Sequence, residues 1–429
     1  MGLNFLKNRE IKNAGWIIGE QIFQMLISLV VGVLTARYLG PSNYGALNYT
    51  ASFVSFVLPI ANLGMEGVVI KKIIEKPEDE GVYLGSCMVF RIISSLLSIA
   101  SIIVVVWFLN IGDFEKLLLL VLQSAQLIFK AMNILDSWFQ RYLKSKYVSI
   151  GKMIACIVVS IYKIVLLATS QSIYWFAVSN TLTDFVIVFV LIFFYHKNNG
   201  NKLSFRFYAG KEILKDSYHF ILSGIMTAIY SQMDKIMIGG MLTDSDVGLY
   251  TTATTICTMW IFVPTAVINS FRPKIMELKQ SNNEGKYILR LEQLYSAVIW
   301  MCLFVAACIT VFAKLIIFIL YGSEYIEATN ALQIVVWCET FAMIGTARGI
   351  WILCENKNKY VKYYLAIGAV VNLVLNMLMI PLYGIEGAAI ATLITQIMTS
   401  LIAPLLFKET RAHTKIVLDA FLFRYLWKK

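Results

Sequence analysis

The feature that most limits this chain is an apolar block of about twenty residues that recurs along its length. A helix rises about 1.5 Å per residue, so ~20 apolar residues cross the ~30 Å hydrocarbon core of a bilayer. Twelve such blocks can be read, roughly over 15–37, 45–65, 84–108, 115–135, 148–169, 173–195, 217–241, 247–270, 293–320, 327–353, 361–381 and 385–407. The short alternating segments of a membrane strand barrel are missing. A chain that is 59% hydrophobic and 15% charged, with its apolar residues grouped in this way, is expected to be an all-α membrane protein. The first block is longer than the apolar part of a signal peptide and has no small-residue cleavage site, so it is read as a transmembrane helix.

The loops alternate in character. Those after odd-numbered spans are short, and those after even-numbered spans are longer and basic. The longest, residues 196–216, divides the chain into an N-terminal lobe (1–200, helices 1–6) and a C-terminal lobe (201–407, helices 7–12). Of the 37 Lys and Arg residues, 28 fall on the side of the two terminal segments and the loops after even-numbered spans, whereas the opposite side has only Arg37 and Lys116. Lys and Arg concentrate on the cytoplasmic side, so both termini are expected there. The net charge of +11 is accordingly read as topological charge, not as a nucleic-acid footprint. The tail, 408–429, is expected to lie on the cytoplasmic membrane surface. Ile416, Val417, Phe421, Leu422 and Tyr425 would form its apolar side, with Arg424, Lys428 and Lys429 near lipid phosphates.

Seven cations remain inside the spans, Arg91, Lys130, Lys152, Lys163, Lys235, Lys314 and Arg348, and they are joined by the carboxylates Glu20, Asp184, Asp234 and Glu339. Intramembrane charge costs at least ~2.5 kcal/mol on insertion scales and marks functional candidates. Lys152 and Arg91, near span ends, can snorkel. Lys152 and Lys163, eleven residues apart, share a helix face. Polar stripes at i, i+4 spacing occur at Glu20–Gln24–Ser28, Asn180–Asp184, Asn372–Asn376 and Thr392–Gln396–Ser400. Such stripes serve either interhelical hydrogen bonds or a hydrated cavity. Their number favours a central cavity between two six-helix lobes.

The stretch from Ser231 to Thr254 joins spans seven and eight through a short turn. Asp234 and Lys235 within it either neutralise each other or face a cavity separately, because adjacent residues diverge by about 100° on a helix. Gly239-Gly240 is a candidate bend. The Leu-to-Gly spacing of Leu39–Gly45 recurs in Leu242–Gly248, followed in each case by a small Thr/Ala-containing helix with a proline, Pro59 or Pro264. This weak repeat suggests two parallel lobes that rock about a central site.

Phosphate-loop, nucleophile-elbow and zinc-protease motifs do not occur, and cysteines 87, 156, 257, 302, 308, 338 and 354 have no metal-ligand spacing. No catalytic residue, metal or cofactor is expected, and an intramembrane enzyme based on Asp234 or Glu339 is the minor alternative.

Three motifs, in this order and spacing, resemble the Wzx-type polysaccharide-repeat-unit flippases of the multidrug/oligosaccharidyl-lipid/polysaccharide exporter superfamily. They are Thr35-Ala-Arg-Tyr-Leu-Gly-Pro-Ser-Asn-Tyr-Gly45, then Asp234–Gly239 with Val247-Gly-Leu-Tyr250, and lastly Asn372-Leu-Val-Leu-Asn376 with Ile380–Ala389 and Ala391-Thr392. The resemblance implies a flippase for undecaprenyl-diphosphate-linked oligosaccharide units of O-antigen or a related surface polysaccharide, working by alternating access in a bacterial cytoplasmic membrane. The seven cations would bind substrate, and Asp234, Asp184, Glu339 or Glu20 would couple an ion gradient. Its partners would be the lipid-linked oligosaccharide and membrane lipids, with a glycan polymerase and chain-length regulator as candidates. Export of teichuronic or capsular units, or a glycan polymerase or transferase activity, are the alternatives.

Overall fold

The computed structural model describes residues 9–424, which are almost entirely helical. Lys7, Tyr425, Lys428 and Lys429 lie outside the described residues. The helices are α1 (Arg9–Ala61), α2 (Glu66–Glu75), α3 (Glu80–Leu109), α4 (Phe114–Ser124), α5 (Gln126–Met132), α6 (Leu135–Arg141), α7 (Ser145–Ala168) and α8 (Ile173–Lys197). They continue with α9 (Phe207–Met241), α10 (Asp244–Thr258), α11 (Phe262–Gln280), α12 (Glu284–Tyr321), α13 (Ala328–Cys354), α14 (Val361–Ile397), α15 (Ala403–Leu406) and α16 (Arg411–Phe421).

Eight stretches are long and apolar enough to cross a membrane. Two of them, Gly15–Glu75 and Asn358–Leu406, each contain a reversal and so hold two spans. Helices α9 and α13, which carry Asp234, Lys235, Glu339 and Arg348, complete a twelve-helix, two-lobe bundle. Its apolar residues face outward as well as inward. Only 17% of the most apolar window of α12 is buried, and Phe304 and Val311 are 70% and 75% exposed. Such a surface is stable against lipid, where helices satisfy their own backbone. The protein is a multi-pass membrane protein.

Both reversals sit at glycine. Gly40 has φ 69° and ψ 170°, a region that only glycine enters readily, and Pro41 restarts the helix. Gly384 has φ 59° and ψ −137°. Asn372 Nδ2 and Thr392 Oγ1 are 3.5 Å apart. Twenty residues of straight helix would separate them by about 30 Å, so the chain turns back between them. Gly384→Ala is expected to lower the stability of this hairpin by about 1–3 kcal/mol. Thermal melting of the purified protein checks this, with Tyr383→Ala as the control at an exposed neighbour. Equal melting of the two variants would show that the turn tolerates a side chain.

The corresponding turn before α10 uses a different device. Thr243 caps the helix in a reciprocal box with Asp246, whose Oδ2 accepts from the Thr243 backbone N–H at 3.0 Å. Gly239 and Gly240 remain helical in the last turn of α9, so the bend expected there is not formed.

The chain divides into two compact units between Gln232 and Met233. This boundary lies inside α9, about thirty residues beyond the 200/201 division read from the sequence and about sixteen beyond the end of the hydrophilic loop. The loop itself is laid on α3, with Ser204 N–H donating to the Gly81 carbonyl at 3.1 Å and Arg206 N–H to Ser86 Oγ at 2.9 Å. The first turns of α9 follow it into the first unit. Ala209 and Ile213 are buried there, and Lys72 Nζ donates to Glu212 at 2.6 Å. That hydrogen bond holds the Glu212 carboxyl below its ordinary range. A depressed carboxylate pKa means that the anchoring is present at neutral pH and is lost as pH falls through the lowered value.

In the first unit the fourth membrane crossing, which follows α3, is broken into α4, α5 and α6. Side chains take up the freed carbonyls: Ser95 Oγ donates to Leu127 O at 3.0 Å, Thr181 Oγ1 to Leu122 O at 2.9 Å and Arg91 to Lys130 O at 3.1 Å. Irregular backbone at membrane depth needs such partners.

The end of the chain differs from expectation. Helix α16 is amphipathic, but Ile416, Val417 and Ala420 are buried in the core of the second unit with Tyr295 and Trp351. His413 Nε2 meets Tyr295 Oη at 2.9 Å. Among the described residues of the predicted apolar side only Phe421 and Leu422 stay exposed, with Phe421 stacked on Trp300. Arg424 pairs with Asp419 at 3.2 Å. The helix uses most of its apolar face against other helices because that face meets an apolar bundle before it can meet lipid.

Candidate functional site

Asp234 lies near the end of α9, 7% exposed, among four neutral donors of the second unit. Its Oδ1 accepts from Asn376 Nδ2 at 2.7 Å and Asn372 Nδ2 at 3.1 Å, both on the first half of α14. Its Oδ2 accepts from Tyr250 Oη on α10 at 2.7 Å and from Thr392 Oγ1, on the second half of α14, at 2.5 Å. The reversal at Gly384 brings Asn372, Asn376 and Thr392 to one point. Lys235 forms no ion pair with Asp234 among the described residues, as the 100° divergence between neighbours on a helix requires. Asn376 Oδ1 is buried with no donor among the described residues, so the cluster has acceptor capacity to spare.

The first unit contains three cavities that share lining residues. One of about 280 Å³ is lined by Glu66, Lys130, Asn133, Asp136, Lys152 and Asp184, among others. A second, about 340 Å³, adds Asn13, Glu20 and Ser145 while sharing Asp136 and Lys152. A third, about 190 Å³, reaches along α7 from Lys152 to Lys163, with Gln24, Ser28, Ser160, Asn180 and Thr183 in its wall. The carboxylates collect in the first two. Lys130 is paired with Asp184 at 3.6 Å, and Asn133 Nδ2 donates to Asp184 Oδ1 at 3.5 Å. Glu20 accepts from Gln24 at 2.5 Å.

The predicted candidates therefore separate. Lys130, Lys152, Lys163, Glu20 and Asp184 line connected cavities of the first unit. Arg91 lines none of them. It is buried against Asn62 and the Lys130 carbonyl, 3.6 Å from Glu66, where it supports the broken crossing. Arg348 donates to Thr399 O at 2.6 Å and lies over the Tyr364 ring at 4.4 Å, which ties down the widened helical turn at Met398–Ile402. Lys314 is exposed on α12 among Phe312, Leu315 and Phe318, outside these cavities. Glu339 is half-buried on α13 with no ion-pair partner among the described residues. No cluster of three metal-ligating side chains occurs among the described residues, and the seven cysteines are unpaired.

The polar stripes thus divide between the two uses open to them. Glu20, Gln24, Ser28, Asn180 and Asp184 face cavities, whereas Asn372, Asn376 and Thr392 hydrogen-bond across helices. Sequence reasoning missed Tyr250 as a ligand of Asp234, and Glu66, Asn133 and Asp136 as cavity residues. Asn133, Asp136 and Gln140 do fall at i, i+3, i+7 along one helix face, a signal hidden by the break between α5 and α6.

A bundle of this kind, with polar cavities inside helices that present apolar surface outward, is the architecture of a multi-pass transporter. Residues 11–271 match the model of a family described as "Polysaccharide biosynthesis protein", and the chain belongs to that family. It is 27% identical over 364 residues, covering 83% of this chain and 75% of the relative, to the Haloferax volcanii protein called "Probable low-salt glycan biosynthesis flippase Agl15". Its fold is similar to that of the lipid II flippase MurJ in an inward closed conformation, with a TM-score of 0.76, 16% identity and coverage of 96% of this chain and 92% of that one. An inward-facing multidrug resistance transporter of the MATE family and MOP superfamily is also similar, with a TM-score of 0.65, 14% identity and coverage of 96% and 98%. At these identities the structural likeness concerns the fold.

Proposed function

We propose that the protein is a flippase that carries a lipid-linked oligosaccharide across the membrane, with the polar headgroup passing through a hydrophilic interior and the lipid tail staying in the bilayer. The observation that carries this reading is the connected set of polar cavities in the first unit, lined by half-buried Lys152 and Lys163 inside helices that expose apolar surface. A diphosphate and sugar headgroup cannot cross hydrocarbon without replacing its hydration, and such a wall replaces it. Relatives named as glycan and lipid II flippases support transport over catalysis.

The finer reading is an undecaprenyl-diphosphate-linked unit of O-antigen or a related polysaccharide, moved from the cytoplasmic to the outer leaflet by alternating access, with both termini cytoplasmic. A downstream glycan polymerase and chain-length regulator would use the product. The isolated Asp234 carboxylate, with a spare acceptor at Asn376, supports coupling to a proton or monovalent cation.

Deleting the gene tests the reading. Loss of a flippase is expected to accumulate single lipid-linked units facing the cytoplasm. Single units that instead reach the cell surface would identify a polymerase and overturn the proposal.

A further inference from the structure

The cavity system has a charge asymmetry that a general headgroup site does not need. Glu20, Glu66, Asp136 and Asp184 line the two cavities nearer the start of α7, while the 190 Å³ cavity further along it contains no acid. Its polar wall is Gln24, Ser28, Ser160, Asn180 and Thr183, with Lys152 at the end it shares with the other two cavities and Lys163 as the cation furthest from the carboxylates. Lys152 lies three helical turns earlier and lines one cavity together with the carboxylates Glu20 and Asp136. Lys163 has no carboxylate partner among the described residues. A cation in such a place is costly unless an anion arrives to pair with it.

We propose that this acid-free cavity is a sugar subsite for a carboxylate-bearing sugar, a hexuronic acid of the transported glycan, with Lys163 on the carboxylate. The proposal rests on the flippase reading above and specifies its cargo. Three features favour a uronate over the lipid diphosphate. The ammonium of Lys163 balances a single carboxylate, whereas a diphosphate would need Lys152 as well, and Lys152 also lines the neighbouring cavity with Glu20 and Asp136. Two amides and three hydroxyls offer paired donors and acceptors, which suit a ring of hydroxyl groups. The cavity is also below the ~300–1,000 Å³ of a drug-sized pocket, on the scale of one small ring.

The test uses the purified full-length protein in lipid nanodiscs and three probes: sodium D-glucuronate, D-glucose and sodium pyrophosphate, with affinity read by calorimetry and by thermal stabilisation. Glucuronate is expected to bind roughly tenfold or more tighter than glucose, the scale of one charge-assisted hydrogen bond. Lys163→Gln should bring glucuronate down to the affinity of glucose, while Lys163→Arg should retain the preference. Asn180→Leu should weaken both sugars, which keeps the test open if Lys163→Gln fails to fold. Equal binding of glucose and glucuronate by the unmodified protein would overturn the proposal. So would loss of pyrophosphate binding alone in Lys163→Gln, which would place the diphosphate at this lysine. Glycolipid translocation that persists without any glucuronate preference would overturn the subsite and leave the flippase reading intact.

Discussion

Asp234→Asn is expected to leave the protein folded and at its normal level in the membrane, and to reduce glycan export by an order of magnitude or more. The substitution keeps the shape of the side chain and removes its charge. An amide at this position can turn its oxygen to Asn372 and Asn376, while its NH₂ faces Tyr250 and Thr392. Both hydroxyls can rotate to accept, so the hydrogen bonds survive in a neutral form. What is lost is the negative charge, which the proposed coupling to a proton or small cation requires. Asp234→Leu should behave differently. It strands the two Asn donors in a buried place, at a cost of about 1–3 kcal/mol each, so the protein itself should become less stable. Export and membrane abundance measured together separate the two effects. Normal export by Asp234→Asn at normal abundance would remove the coupling role, and loss of the protein would favour a purely structural cluster.

The largest loss of stability is expected from Glu80→Ala. Glu80 is 3% exposed at the start of α3. Its Oε2 accepts from Arg141 Nη1 at 2.5 Å and Tyr142 Oη at 2.9 Å, and its Oε1 accepts from Trp138 Nε1 at 3.2 Å. Removing the carboxylate leaves a largely buried guanidinium without its counter-charge, a change that costs about 3–5 kcal/mol. The melting temperature of the purified variant should drop by several degrees, and its abundance should fall with it. A double variant, Glu80→Ala with Arg141→Met, should recover much of the loss, because it removes the stranded charge as well. An unchanged melting temperature in the single variant would mean that water reaches Arg141 and screens it.

These two carboxylates show where sequence reading works and where it stops. Asp234 stands out in the sequence because it interrupts an apolar block, and it proves to be the centre of a cluster. Glu80 lies at the edge of a block, where acids are common, so nothing local distinguishes it. The same holds among the cations. Arg91, Lys130 and Lys163 look alike as charges within spans, yet Arg91 braces a broken helix, Lys130 is paired with Asp184 and Lys163 faces an acid-free cavity.

The sequence by itself determined the membrane class, the twelve crossings and the short turns between spans one and two and between spans eleven and twelve, in which the structure puts Gly40 and Gly384 at the reversals. These are local properties: the length of an apolar block must match the bilayer, and backbone in the left-handed half of φ/ψ space selects glycine. It also determined that Lys152 and Lys163 share a face and that Asp234 and Lys235 do not, since helical periodicity sets both. Only the tertiary structure decided which charges are paired, that the first turns of α9 belong with the first unit, and that α16 packs against a bundle before lipid. The physical reason is that a charge in a low-dielectric bundle takes its partner from whichever helix faces it. That facing depends on the rotation and packing of separate helices, which no single stretch of sequence encodes.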